Sequence, residues 1–247
     1  MKLTDNIWLV GSGASGFSMT HPRDCHVYLV ADQGDAVLID AGAGVDVAPI
    51  LAQIERSGVL RSAVGRIVLT HAHADHSGGA AALRDALDAE VLASPEVASY
   101  LRDGDERAAS FDRMKRPGGY PDDYSFRACP VDAELTDGQR LTLGALELEV
   151  LSTPGHSSGH ISYALHRSGG VDLFSGDAAF ANGRILLQDI WDCSIADSTQ
   201  TVRRLAELKP AGLYPGHGTV AITLGWHHLY SAIEEMSVGL PPRQLSF

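Results

Sequence analysis

The stretch Thr70-His71-Ala72-His73-Ala74-Asp75-His76 places three imidazoles and one carboxylate within six consecutive positions. Neutral imidazole and carboxylate are donors that suit zinc, and also iron or manganese. The apolar run Arg66-Ile67-Val68-Leu69 precedes it and Ser77-Gly78-Gly79 follows. That run reads as a buried strand, so His71 and His73 project to one side if the extended geometry persists at its end. Asp75 and His76 then fall on the turn into a helix. A histidine-rich surface loop is the bland alternative. Three of the chain's 11 histidines gathered in one place favour a metal site over it.

Three further turns carry donors of the same kind. Thr153-Pro154-Gly155-His156 follows the strand-like Leu146-Glu147-Leu148-Glu149-Val150-Leu151. Phe174-Ser175-Gly176-Asp177 follows Val171-Asp172-Leu173, and Tyr214-Pro215-Gly216-His217-Gly218 follows Ala211-Gly212-Leu213. In each, a glycine precedes the donor, which suits a tight turn that points a side chain into a cleft.

HxHxDH followed in order by these three turns resembles the signature of the metallo-β-lactamase-fold hydrolases, and the resemblance spans nearly the whole chain. It implies an α/β fold, a four-layer αββα sandwich of two mixed sheets flanked by helices, as a single domain over 1–247. Carried over position by position, it assigns His71, His73 and His156 to one metal ion and Asp75, His76 and His217 to another, with Asp177 bridging both. The implied cofactors are two divalent metal ions, zinc first, with iron and manganese as alternatives. The implied reaction is hydrolysis of a small ester, thioester or lactone by a hydroxide that bridges the metals. Asp75 is then the catalytic residue, orienting that water and later protonating the leaving group.

Departures from particular relatives narrow the choice. Members that hydrolyse β-lactams lack the bridging Asp and act behind a signal peptide, whereas this chain has Asp177, and Ile7-Trp8-Leu9-Val10 is too short for a signal-peptide core. β-Lactamase activity is therefore not expected. Full-length hydroxyacylglutathione hydrolases add a helical C-terminal extension with basic contacts; the residues after His217 hold one Lys or Arg, Arg243, so that extension is expected to be absent. Acyl-homoserine lactonases offer a Tyr between the bridging Asp and the last His, but only Tyr214 stands there, while Trp191 and Asp192 occupy the loop. The chain is most similar to the single-domain hydroxyacylglutathione hydrolase-like and lactonase-like members. Two alternatives use the same scaffold: a mononuclear-iron sulfur dioxygenase and a non-catalytic member that binds a small ligand.

Composition sets the outer limits. Net charge is −12, from 19 Lys and Arg against 31 Asp and Glu, so no basic face can easily dominate and a nucleic-acid partner is not expected. The expected partner is a small-molecule substrate. No apolar stretch is long enough to span a membrane. Cys25, Cys129 and Cys193 are odd in number and lack a CxxC pair, which points to a reducing compartment and a cytoplasmic location.

The elements that must position the donors follow from periodicity. Strands are expected at Ile7 to Val10, His26 to Val30 and Ala36 to Ile39, the last two joined by a turn at Asp32 to Asp35. Gly11-Ser12-Gly13-Ala14-Ser15-Gly16 is formally GxGxxG, yet Phe17 to Pro22 has no helical period, so a loop is expected in place of a dinucleotide site. Asp40 closes the third strand; the resemblance gives it the part of holding the second ring nitrogen of a ligand histidine. Helices are expected over Asp46 to Gly58, Ala80 to Leu87, Pro95 to Leu101, Ser198 to Leu208 and Trp226 to Met236. A short strand is expected at Glu90 to Ala93, and an alternating hairpin over Gly138 to Val150 delivers His156. The turn-rich segment 103–130 is a possible substrate-facing insertion, with Met114, Tyr120, Tyr124 and Phe126 as pocket-wall candidates; a connection anchored by a few aromatics is the alternative. His160 is expected to pack or to stabilise a loop, with a substrate contact as the alternative, and His227 and His228 to be ordinary helix residues.

Overall fold

The computed structural model describes residues 1–111 and 120–245. Its contacts group into two compact units, one of Met1–Leu135 with Leu143–Ala145 and one of Thr136–Thr142 with Leu146–Phe247.

The first unit is built on a mixed sheet whose strands lie in chain order: β1 (Ile7–Gly11), β2 (Val27–Asp32), β3 (Asp35–Ile39), β4 (Val64–Val68), β5 (Glu90–Ala93) and β6 (Ala133–Glu134). β1, β2 and β3 pair antiparallel, and β3 to β6 pair parallel. The β2–β3 turn uses Gln33 and Gly34, both at positive φ, which gives the twist a two-residue hairpin needs. Ala36 to Ile39 are all buried, a continuous apolar run of the kind expected where both faces of a strand are covered.

Among the described residues, four helices of this unit follow from the predicted periodicity or extend it. α1 (Ala48–Ser57) buries Ile50, Leu51 and Ile54 and ends at Gly58, whose φ of 85° supplies the left-handed cap. α2 (Ala74–Ser77) is a single turn carrying Asp75 and His76, and α3 (Ala80–Leu87) follows directly. α4 (Pro95–Asp103) starts where the Ser94 hydroxyl accepts the Val97 N–H, with Pro in its first turn. Ile54, Ile67, Leu83 and Val91 are among the fully buried side chains of this unit's core. Covering one such side chain contributes roughly 1.5–3 kcal/mol.

The second unit's sheet is also mixed, in the order β11-β10-β9-β8-β7: β7 (Arg140–Leu143), β8 (Leu146–Ser152), β9 (Ile161–Arg167), β10 (Gly170–Gly176) and β11 (Gly212–Pro215). β8, β9 and β10 are antiparallel neighbours, and β11 joins β10 in parallel. β9 is an element that the sequence reading lacked. Ile161 to Leu165 are buried without alternation, so the two-residue period that marks a half-exposed strand is missing.

α5 (Ile195–Glu207) begins three residues before the expected Ser198, because the Ser194 hydroxyl accepts the Asp197 N–H and caps an earlier start. It buries Val202, Leu205 and Ala206, and Pro210 follows its end. α6 (Gly225–Ser237) buries Leu229 and Ala232. Among the described residues, no helix is long and apolar enough to cross a membrane.

The GxGxxG stretch forms a loop with no helix starting inside it. Gly13 N–H donates to the Asp24 carbonyl at 3.0 Å and Ala14 N–H to the Pro22 carbonyl at 2.9 Å. A side chain at Gly13 would meet both carbonyls at 2.5 Å, so this glycine serves a close backbone approach. Of the pocket-wall candidates, Tyr120 and Phe126 are buried with Phe111, Ala74 and Ala109, and Tyr124 packs against them. Met114 lies outside the described residues.

Candidate metal centre

In the first unit, β4 leads through Leu69 into the donor turn. Asp40, immediately after β3, has a φ of 64°, a left-handed conformation that Asp tolerates better than most residues and that is commoner at functional sites. Its carboxylate is buried and accepts several hydrogen bonds from the turn. Oδ1 accepts the Thr70 N–H at 2.7 Å, and the Thr70 hydroxyl donates to the carboxylate, 3.0 Å from Oδ1 and 2.9 Å from Oδ2. Oδ2 also accepts from His76 Nδ1 at 2.8 Å.

These contacts assign the ring protons. A carboxylate only accepts, so His76 carries a hydrogen on Nδ1, which in the neutral ring leaves the lone pair on Nε2. The Thr70 hydroxyl spends its one proton on Asp40, so His71 Nδ1, 2.9 Å from Thr70 Oγ1, must donate there. In the neutral ring His71 Nε2 then also carries the lone pair. It lies 3.0 Å from His73 Nδ1, and His76 Nε2 lies 3.8 Å from Asp75 Oδ2.

In the second unit, three donors from turns far apart in sequence converge. His156 Nδ1 donates to the Leu186 carbonyl at 2.8 Å, which leaves Nε2 as its donor atom. His156 Nε2 and His217 Nε2 each lie 3.6 Å from Asp177 Oδ2. Gly155 has a φ of 135°, and a Cβ there would meet Ser198 N at 2.3 Å, so the turn before His156 closes against the start of α5 only with glycine. Gly216 N–H donates to the Gly176 carbonyl at 2.8 Å, tying the turns that carry His217 and Asp177. The Asp192 carboxylate accepts from Ser157 Oγ at 2.8 Å and Ser158 N–H at 3.1 Å, which braces the other side of the His156 turn.

His160 does the loop-stabilising work expected of it. Its Nε2 accepts the Asp177 N–H at 3.2 Å, so Nδ1 holds the hydrogen and donates to Thr153 Oγ1 at 2.8 Å. Thr153 then donates to Ser162 Oγ at 2.8 Å, and Ser162 to the Ser175 carbonyl at 3.2 Å. Every proton in this buried chain has one direction, so the main chain at Asp177 is fixed from behind.

The donor spacings fit metal coordination. Two donors each ~2.1 Å from one tetrahedral ion stand roughly 3.4 Å apart. The separations of 3.0 and 3.8 Å in the first unit and 3.6 Å twice in the second bracket that figure. Lone-pair nitrogens facing carboxylate oxygens at these distances repel unless a cation or a proton stands between them. Cys25, Asp40 and His76 also place donor atoms within 4.8 Å of one another. That group is a poor separate site, since His76 Nδ1 is committed to Asp40 and burial pushes the Cys25 thiol up to about 12.

The structure thus gathers His71, His73, Asp75 and His76 in one unit and His156, Asp177 and His217 in the other. Tyr214 is fully buried within β11, its ring stacked on Phe174 at 4.9 Å. Two supporting groups escaped the sequence reading. Thr70 was visible as the residue before the first ligand, but a hydroxyl relay to Asp40 needs the fold; the Leu186 carbonyl left no side-chain signal at all.

A model of the metallo-β-lactamase superfamily matches residues 21–217. The chain belongs to this superfamily. It is similar to an acyl-coenzyme A thioesterase, MBLAC2, of Bos taurus, 32% identical over 78% of this chain and 72% of the relative. It is also similar to a hydroxyacylglutathione hydrolase of Xanthomonas oryzae pv. oryzae, 33% identical over 63% of this chain and 46% of that protein. The chain spans between about half and three quarters of the length of these two curated relatives. Among solved structures, a Cronobacter sakazakii metallo-β-lactamase with a HARLDQ motif aligns over 97% of both chains with a TM-score of 0.71 at 21% identity, a likeness of fold. Two mixed sheets with flanking helices are the framework of that fold.

Proposed function

We propose that this protein is a dinuclear-metal hydrolase of a small ester, thioester or lactone, acting as one metallo-β-lactamase-fold domain. His71, His73 and His156 would hold one ion, Asp75, His76 and His217 the other, and Asp177 both. Zinc is the first choice, and imidazole with carboxylate also admits iron or manganese. The observation that carries the reading is the state of the histidines. In His71, His76 and His156 one ring nitrogen is engaged by Thr70, Asp40 or the Leu186 carbonyl, and the other is turned toward a further donor.

When bound, such ions lower the pKa of water toward neutrality and polarise a carbonyl oxygen. The chain's own residues supply the rest. Asp75, whose side chain keeps 21% of its exposure, orients the attacking water and hands its proton to the leaving oxygen or sulfur. Asp40 keeps His76 in one tautomer throughout, so no proton is lost from the ligand set to the ring. Relatives named as an acyl-coenzyme A thioesterase and a hydroxyacylglutathione hydrolase make thioesters the leading substrate class.

The test is acid release by zinc- and manganese-loaded protein against acyl thioesters, lactones, simple esters and a β-lactam, with Asp75→Asn alongside. Turnover confined to one class and lost in the variant supports the hydrolase. Silence across the panel with metal bound turns the reading toward an iron-dependent oxygenase or a binding role. Turnover at the parent rate in Asp75→Asn removes the proton-handling role of that residue.

A further inference from the structure

Within the second unit, the carbonyl that holds His156 is itself held by a distant part of the chain. Ile185 pairs in parallel with Gln244: Ile185 N–H donates to the Arg243 carbonyl at 2.9 Å, and Leu245 N–H to the Ile185 carbonyl at 2.7 Å. At Leu187 a side chain continues the ladder. Leu187 N–H donates to Gln244 Oε1 at 3.2 Å, and Gln244 Nε2 donates to the Leu187 carbonyl at 2.6 Å. One carboxamide thus offers the acceptor and the donor that the peptide of a neighbouring strand would offer. Ile185 is buried in the core and Leu187 packs against the same cluster, so packing holds these two side chains. The rotation of the peptide between Leu186 and Leu187 is set by its hydrogen bonds.

The Leu186 carbonyl and the Leu187 N–H are the two ends of that one planar trans peptide, so they point in opposite directions. Gln244 Oε1 takes the N–H on one side, and His156 Nδ1 meets the carbonyl on the other at 2.8 Å. A hydrogen bond at one end of a peptide also polarises the other end and strengthens the bond made there. We propose that Gln244 is a positioning residue for His156. By accepting the Leu187 N–H it aims the Leu186 carbonyl, which keeps the ring hydrogen on Nδ1 and leaves Nε2 to bind metal. The inference rests on the metal-hydrolase reading above and deepens it, because it ties one of the two proposed ions to a residue that carries no metal donor. Affinity for that ion scales with the fraction of His156 rings in the competent tautomer.

The experiment compares the parent with Gln244→Met, which keeps the length of the side chain and loses both hydrogen bonds, and with Gln244→Glu, which keeps the acceptor. Gln244 is exposed, so both variants should fold, with Tm lowered by no more than about 4 °C. Long-range 1H–15N spectra of metal-free protein at about pH 8.5, where histidine rings are neutral, show which ring nitrogen carries the hydrogen, and His156→Gln assigns the signals. The parent and Gln244→Glu are expected to hold the His156 hydrogen on Nδ1, and Gln244→Met to populate both tautomers. Zinc titrated against a chromophoric chelator should show one of two binding steps weakened about three- to tenfold in Gln244→Met and the other unchanged. A parent-like His156 spectrum in Gln244→Met would overturn the proposal. Equal weakening of both steps, with a Tm lowered by more than about 10 °C, would also overturn it, assigning Gln244 to folding alone. A parent that binds no zinc would overturn the metal-hydrolase reading, while the His156 spectrum would still report whether Gln244 sets the tautomer.

Discussion

The two units reach a cluster of candidate metal donors by opposite routes. In the first, the donors are sequence neighbours on one turn, and what the fold adds is the proton order imposed by Asp40 and Thr70. In the second, His156, Asp177 and His217 stand on separate turns, and the parallel pairing of β10 with β11 and the antiparallel pairing of β9 with β10 bring them together. A local cluster needs correct protonation; a dispersed one needs correct register. Damage to each should therefore look different.

The largest effect is expected at Asp177. Asp177→Ala removes the carboxylate that faces both His156 and His217, so acid release should fall by on the order of a thousandfold or more and bound metal should drop. Normal turnover with full metal content would show that the second cluster is not the site. Next comes Asp40→Ala, which frees His76 Nδ1 and leaves Thr70 without its acceptor. Metal affinity should weaken about 10–100-fold, read by competition with a chromophoric chelator.

The matching change in the second unit is His160→Ala. It loosens the Asp177 main chain and releases no ligand proton, so a smaller loss, about tenfold, is expected. His160→Gln, with an amide that can both accept and donate, should recover part of it. If His160→Ala were the more damaging of the two, the contrast between protonation and register would be wrong. Gly155→Ala should act on the fold more than on donor chemistry, lowering stability by about 1–3 kcal/mol through backbone strain at a φ of 135°, visible as a lower Tm in the metal-free protein.

The smallest effect concerns pH. Burial raises the Asp132 pKa, but the Val91 N–H and the Arg84 guanidinium outweigh it, and the net shift is downward. A carboxylate with a depressed pKa stabilises the fold above its unfolded value and loses that contribution as pH falls through its folded value. Asp132→Asn should therefore lower Tm near neutrality and lose its effect in acid. An equal penalty at every pH would assign the contribution to packing.

How legible each unit was in the sequence follows from the same contrast. The HxHxDH turn stood out because its donors are adjacent, and the role of Asp40 was visible by resemblance. His156, Asp177 and His217 were visible because a glycine turn ends an apolar run at each of them. What stayed hidden were features without a local period or side chain: β9, buried on both faces, and the Leu186 carbonyl behind His156. The early start of α5 turned on one capping serine that the apolar period does not register.

The proposed function requires both clusters to serve one pair of metal ions. Metal content by inductively coupled plasma mass spectrometry, on parent, His73→Ala and Asp177→Ala after zinc loading and desalting, tests it most directly. About two zinc ions per chain are expected in the parent, with loss in each variant, whichever unit carries the change. A parent that retains no more than one ion, or one whose content is indifferent to either substitution, would overturn the dinuclear reading.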